Sequence, residues 1–178
     1  MRTFIAINLP DRIKDKISEM TKEFPEKGVK KVEKQNLHLT LKFLGDVDEK
    51  KLEEIKQILK TIDYSKFEIS LKNIGFFPNK DFIKVVWLGI EKGRNEVIGL
   101  QKQIDQKLEK CGFISEKNYE PHLTIARVKF LKDKKEFLDK LKKIRFEDNF
   151  SVSGFGLMES NLSSLGPVYK EILTIDLI

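Results

Sequence analysis

The chain contains two histidines, and both stand in the same frame: His38-Leu39-Thr40-Leu41 and His122-Leu123-Thr124-Ile125. In an extended strand side chains alternate between faces, so each His shares a face with its Thr. The apolar residues at the second and fourth places then anchor the opposite face in a core. A lone His on a strand is ordinarily structural, and Thr is common in strands for its shape alone. Two copies with matching flanks, using every His in the chain, point instead to shared chemistry. Two imidazoles, one neutral and one protonated, suit general base and general acid work across a single phosphorus. The base removes a proton from an attacking water or hydroxyl while the acid protonates the departing oxygen. The hydroxyls of Thr40 and Thr124 donate to phosphate oxygens whose charge grows in the transition state. Such a scheme needs neither metal nor cofactor, and none is expected. The sequence holds no His-x-x-x-His, no cysteine pair and no compact aspartate cluster, and two His are too few for a usual catalytic zinc site.

The motifs need strands to carry them. Alternation predicts strands over 3–7, 37–44, 67–74, 83–90 and 122–128, with two more closing the chain near 150–157 and 168–177. In the second of these, Leu39, Leu41 and Phe43 fall on one face and His38, Thr40 and Lys42 on the other. Four helices lie between the strands. The first opens at Pro10 and carries Ile13, Ile17, Met20 and Phe24 on one stripe. The second is capped by Asp48 and buries Leu52, Ile55 and Leu59. The third carries Val97, Leu100, Ile104, Leu108 and Cys111 and stops at Gly112. The fourth starts at Asp133, with Glu136 as its capping-box partner, and buries Phe137 and Leu141.

The order strand, helix, strand with His-x-Thr, helix occurs once before residue 65 and again over 83–144. The two motifs are separated by close to half the chain. This predicts an α+β fold in which one domain, residues 1–178, is made of two duplicated lobes. The lobes are pseudo-symmetric antiparallel sheets with helices packed outside and an active-site groove between them. Mixed helices and hairpin-like strands argue against a doubly wound parallel sheet.

Composition bounds the partners. The 178 residues are 40% hydrophobic and 35% charged, with both signs interspersed, which excludes a disordered chain. The net charge of +6 favours anionic partners such as nucleic acid or phosphates without selecting one. The single cysteine, Cys111, rules out an intrachain disulfide and fits a reducing compartment, so a cytoplasmic protein is expected. No apolar run approaches the ~18 residues that span a membrane.

The paired motifs resemble those of the 2H phosphoesterase superfamily, in particular its RNA 2′,3′-cyclic phosphodiesterase branch, the LigT-like or 2′-5′ RNA ligase proteins. The resemblance runs from Arg2-Thr3-Phe4-Ile5-Ala6-Ile7-Asn8-Leu9-Pro10 through Asn36–Gly45, Val86-Trp87-Leu88-Gly89 and Pro121–Val128 to Glu159-Ser160 and Gly166-Pro167-Val168-Tyr169. It implies opening of a 2′,3′-cyclic phosphate at an RNA end, tRNA fragments included, to a 2′-phosphomonoester. It also implies the reversible joining of ends through a 2′-5′ linkage, with a 5′-hydroxyl replacing water. By this resemblance His38 is the proton donor, His122 the proton acceptor, and Thr40 and Thr124 hold the phosphate; the residues alone do not assign the two His. Arg127 steadies the phosphate in the family pattern, yet strict alternation sets it opposite His122 unless a bulge intervenes. Phe4 is a candidate for stacking on a nucleobase, with a core role as the alternative. Lys42 reads as solvated or as a charge in the groove, and Trp87 and Tyr169 as packing residues. A two-lobed chain needs no second copy to complete its site, so a monomer is expected. The rival readings are an RNA- or nucleotide-binding module without turnover and a phosphodiesterase for another cyclic or 2′-5′-linked nucleotide.

Overall fold

Residues Arg2–Asn8 (β1) carry five consecutive buried side chains between exposed ends, the pattern of a strand covered on both faces. In the computed structural model, which describes residues 1–164 and 166–178, β1 lies between two partners. One is His38–Asp46 (β3); the other is Gly154–Ser163 (β8), which pairs in turn with Gly166–Asp176 (β9). The sheet order is β3-β1-β8-β9. A second sheet joins Val29–Lys31 (β2), His122–Val128 (β6), Ile83–Ile90 (β5), Phe67–Pro78 (β4) and Glu147–Val152 (β7), in the order β2-β6-β5-β4-β7. Every pairing among the described residues is antiparallel, as the α+β expectation requires. Apart from the short β2, the sheets match strand for strand: a His-bearing strand, its partner, and an outer pair.

Four helices cover the sheets: Asp11–Thr21 (α1), Glu49–Leu59 (α2), Arg94–Glu109 (α3) and Lys134–Lys143 (α4). Both predicted N-caps are in place, but the Glu136 carboxylate pairs with Lys140 and does not close the predicted capping box on Asp133. Asp48 accepts from the Lys51 N–H at 2.7 Å, and Asp133 from the Glu136 N–H at 2.8 Å. After α3, Gly112 takes a φ of +84°, a left-handed turn that glycine adopts without strain. The stripe Val97, Leu100, Ile104 and Leu108 is fully buried. These residues join Ile5, Leu39, Leu88 and Leu123 in one continuous core running through both sheets.

The structure corrects several sequence expectations. Pro10 is the cap of α1 rather than a residue of its first turn, and Phe24 is buried from beyond the helix end. Strand β4 runs on to Pro78. The stretch 150–157 is the end of β7 and the start of β8, broken at Ser153. Strand β2, only three residues long, carries too little pattern to be read.

The most consequential correction concerns alternation within β3. Thr40 pairs with Ala6 and Lys42 with Ile5, so Leu41 is an extra residue, a β-bulge. Beyond it the faces exchange. Lys42 turns into the core at 5% exposure, while Phe43 turns outward at 70% onto the His38 face. The same device recurs in β6, where Thr124 pairs with Trp87 and Arg127 with Val85, leaving Ile125 extra. The burial sequence over residues 38–44 and 122–128 is identical, position by position.

Candidate active site

Each His begins its strand, and each is held the same way. His38 Nδ1 lies 2.6 Å from the Asn36 carbonyl, and His122 Nδ1 lies 2.7 Å from the Glu120 carbonyl. A carbonyl only accepts, so Nδ1 carries the proton and Nε2 is the free nitrogen of each neutral ring. Asn36 is itself fixed, its amide donating to the Pro167 carbonyl at 2.8 Å.

The ring environments are aromatic on both sides. His38 packs on Phe4 at 4.8 Å between centroids and edge-on to Tyr169 at 5.1 Å. His122 packs edge-on to Phe77 at 4.8 Å, with Trp87 at 6.4 Å. The Trp87 indole lies directly over Gly75, where an added Cβ would fall 2.0 Å from the ring. Trp87 and Tyr169, read from the sequence as packing residues, are thus walls of the two His sites. Phe4 is 3% exposed, in a small cluster with Ala6, Met158 and Tyr169 beneath the His38 face. Its ring supports the imidazole, and the open ring of that face is Phe43, 6.2 Å away.

Thr40 shares a face with His38, and Thr124 with His122, as alternation requires. The bulge at Ile125 brings Arg127 onto the Thr124 face, which strict alternation forbids. Strands β3 and β6 run against each other where the two sheets meet. Arg127 acts from β6 on the His38 side: its charge bears on both His38 and Tyr169. Burial lowers the His38 pKa to about 4; the Asn36 carbonyl opposes that shift, and Lys14 and Arg127 reinforce it. Burial raises the Tyr169 phenol, with Arg127 pulling the other way. Among the described residues no three His, Cys, Asp or Glu side chains cluster as a metal site.

Lys42 is neither solvated nor in the groove. Its ammonium pairs with Asp105 of α3, both side chains being almost fully buried, and donates to the Ile114 carbonyl at 2.8 Å. The second Asp105 oxygen accepts from Ser115 Oγ at 2.8 Å and the Glu116 N–H at 2.7 Å. Burial alone would push the Asp105 carboxyl up, but Lys42 and these donors outweigh it and hold it below its ordinary value. From the same loop, Tyr119 donates its hydroxyl to the Thr40 carbonyl at 2.8 Å. Residues 114–119, which lead into His122, are therefore strapped to the strand that carries His38. Sequence reading missed Asp105 and Tyr119; the one available signal was an aspartate on the apolar stripe of α3, one residue after Ile104.

Comparison with known proteins accords with this geometry. The model of the 2′-5′ RNA ligase superfamily matches residues 9–163. The chain belongs to the 2′-5′ RNA ligase superfamily. Among its relatives in that superfamily, the RNA 2′,3′-cyclic phosphodiesterase of Methanocaldococcus jannaschii is 43% identical, over 97% of this chain and 98% of its own. The one from Archaeoglobus fulgidus is 38% identical over 97% and 98%. Escherichia coli LigT, solved in complex with 3′-AMP, superposes with a TM-score of 0.84 at 27% identity, over 99% of this chain and 97% of that one.

Two outcomes are expected. Lys42→Met leaves a buried carboxylate without its cation and should lower unfolding stability by about 3–5 kcal/mol in urea titrations, whereas Lys42→Met with Asp105→Leu should recover most of the loss. His38 generates a pH dependence. Between pH 6.5 and about 4 the unfolded chain protonates this ring and the folded chain does not. The corresponding stability is present above pH 6.5 and is lost as pH falls towards 4. His38→Gln should flatten that decline by about 3 kcal/mol, read from denaturation midpoints across the range.

Proposed function

We propose that the protein hydrolyses the 2′,3′-cyclic phosphate at an RNA end to a 2′-phosphomonoester, using His38 and His122 as a proton-transfer pair. The observation that carries this reading is the duplicated site: two imidazoles, each with Nδ1 tied back and Nε2 free, on strands that meet at the junction of the sheets. The names of the relatives and the nucleotide bound to the Escherichia coli protein support the substrate class.

In this reaction His122 Nε2 accepts a proton from water as the water oxygen bonds to phosphorus. The bond from phosphorus to the 3′-oxygen breaks, and His38 Nε2 delivers a proton to that oxygen. Thr40, Thr124 and Arg127 hold the non-bridging oxygens. The pKa of His38 in the free protein constrains its role. Lys14 and Arg127 help keep the ring neutral, and a bound phosphate offsets their charge. Substrate binding therefore raises the affinity of His38 for its proton and readies it as the donor. With a 5′-hydroxyl in place of water as the nucleophile, the same steps join RNA ends through a 2′-5′ linkage: the 5′-oxygen bonds to phosphorus, the bond to the 3′-oxygen breaks, and His38 protonates that oxygen. The matching strand orders and burial sequences are the grounds for reading the chain as two duplicated lobes in one domain. A site completed within one chain favours a monomer. The lone buried Cys111, free of any disulfide, fits a reducing compartment and so the cytoplasm.

Incubation with an RNA oligomer ending in a 2′,3′-cyclic phosphate, in EDTA, should yield a 2′-phosphate end with the wild type. His38→Ala and His122→Ala should each be slower by at least about 100-fold. RNA binding without turnover by folded wild type would identify a binding module, and turnover confined to other cyclic or 2′-5′-linked nucleotides a different phosphodiesterase. The rate should be bell-shaped in pH, with the limb set by His38 at higher pH in kcat than in kcat/KM. If that moving limb is the basic one, His38 is the donor; if it is the acidic one, the two His exchange roles.

A further inference from the structure

The mechanism uses Arg127 but leaves its neighbour unexplained. In the pairing of β2 with β6, Lys30 stands directly opposite Arg127, so both side chains emerge on the same face. Lys30 is exposed, and its ammonium reaches the start of β9: a Cβ added to Gly166 would lie 3.2 Å from Lys30 Nζ. The next residue, Pro167, accepts the amide of Asn36, whose own carbonyl holds His38. Lys30 is therefore placed at the His38 end of the site, one hydrogen-bonded step from the strand that carries it. Among the described residues neither Lys30, Lys14 nor Arg127 has an ion-pair partner. A group of unpaired cations repels itself, and an anion laid along it relieves that repulsion.

In the reaction proposed above, Arg127 with Thr40 and Thr124 holds the reacting phosphate. Lys30, one strand further out, lies beyond it along the same face. We propose that Lys30 forms a subsite for the phosphodiester preceding the terminal nucleotide, so that the enzyme distinguishes the end of an RNA chain from a free cyclic mononucleotide. This inference rests on the cyclic phosphodiesterase reading for its substrate, but not for its geometry. The contact is to backbone phosphate and carries no base preference.

The test compares wild type, Lys30→Ala, Lys30→Glu and Lys30→Arg on two substrates: a short RNA oligomer ending in a 2′,3′-cyclic phosphate, and adenosine 2′,3′-cyclic monophosphate. Lys30→Ala should raise KM for the oligomer about 5- to 10-fold at moderate salt, Lys30→Glu further, and Lys30→Arg should restore it. In each case kcat and the mononucleotide kinetics should stay within about twofold. The dependence of log(kcat/KM) on log salt for the oligomer should become shallower by about 0.7, the loss of one phosphate contact on a single strand. Equal effects on both substrates, or none on either, would overturn the subsite. Anisotropy of a labelled oligomer ending in a 2′-phosphate, competed by adenosine 2′-monophosphate, repeats the comparison without turnover. Loss of the selective effect there also overturns the subsite, whereas a wild type that turns over neither substrate counts only against the reaction assigned above.

Discussion

In each His-bearing strand, the extra residue directly after the His-x-Thr determines how the site is built. A bulge at Leu41 and another at Ile125 reverse the inward and outward faces of the residues directly after them, in β3 as far as a second register shift at Leu44. Ahead of each bulge, His and Thr face the site while the residues between them lie in the core. Behind each, the position five residues after the His, which would point inward in a regular strand, points out instead. In β3 that position is Phe43 and in β6 it is Arg127. A regular strand would bury a guanidinium in one sheet and expose Lys42 in the other, losing both the cation on the His face and the ion pair beneath it.

The buried pair of Lys42 and Asp105 gains its meaning from the same reversal. A buried ion pair contributes little net stability compared with an apolar replacement, because both charges give up their hydration. What this pair does supply is direction. Its donors and acceptors lie on β3, on α3 and on residues 114–116, and together with Tyr119 and the Thr40 carbonyl they allow the two sheets only a narrow range of relative placements. Apolar packing at the same place would carry none of these directional bonds.

Much of this architecture was legible in the sequence wherever local rules decide it. The paired His and Thr residues, the caps at Asp48 and Asp133, the stop at Gly112 and the apolar stripe of α3 depend on neighbours within a few residues, and each stands where expected. The bulges were hidden because Leu41-Lys42-Phe43-Leu44 continues to look like regular alternation. The clue lay in the comparison of the two repeats: Ile125-Ala126 places two apolar residues in succession, and aligned with it, Lys42 occupies the position of a buried alanine. Strand β2 and the break at Ser153 were illegible for another reason. A three-residue strand has no period, and its existence depends on the open edge of β6. The partners of the His rings were equally out of reach, since Phe77 and Tyr169 arrive from distant strands by sheet order alone.

The tether of each imidazole through Nδ1 to the carbonyl two residues upstream also governs how the proposed enzyme recovers between rounds. A ring so held cannot turn over or exchange its two nitrogens without breaking a hydrogen bond to the main chain. In the proposed reaction each round leaves one His with an added proton and the other with one fewer. Both must be restored through the same nitrogen that served the reaction, by way of the vacated site. Departure of the product and resetting of the proton inventory are then a single passage, and whatever slows one slows the other.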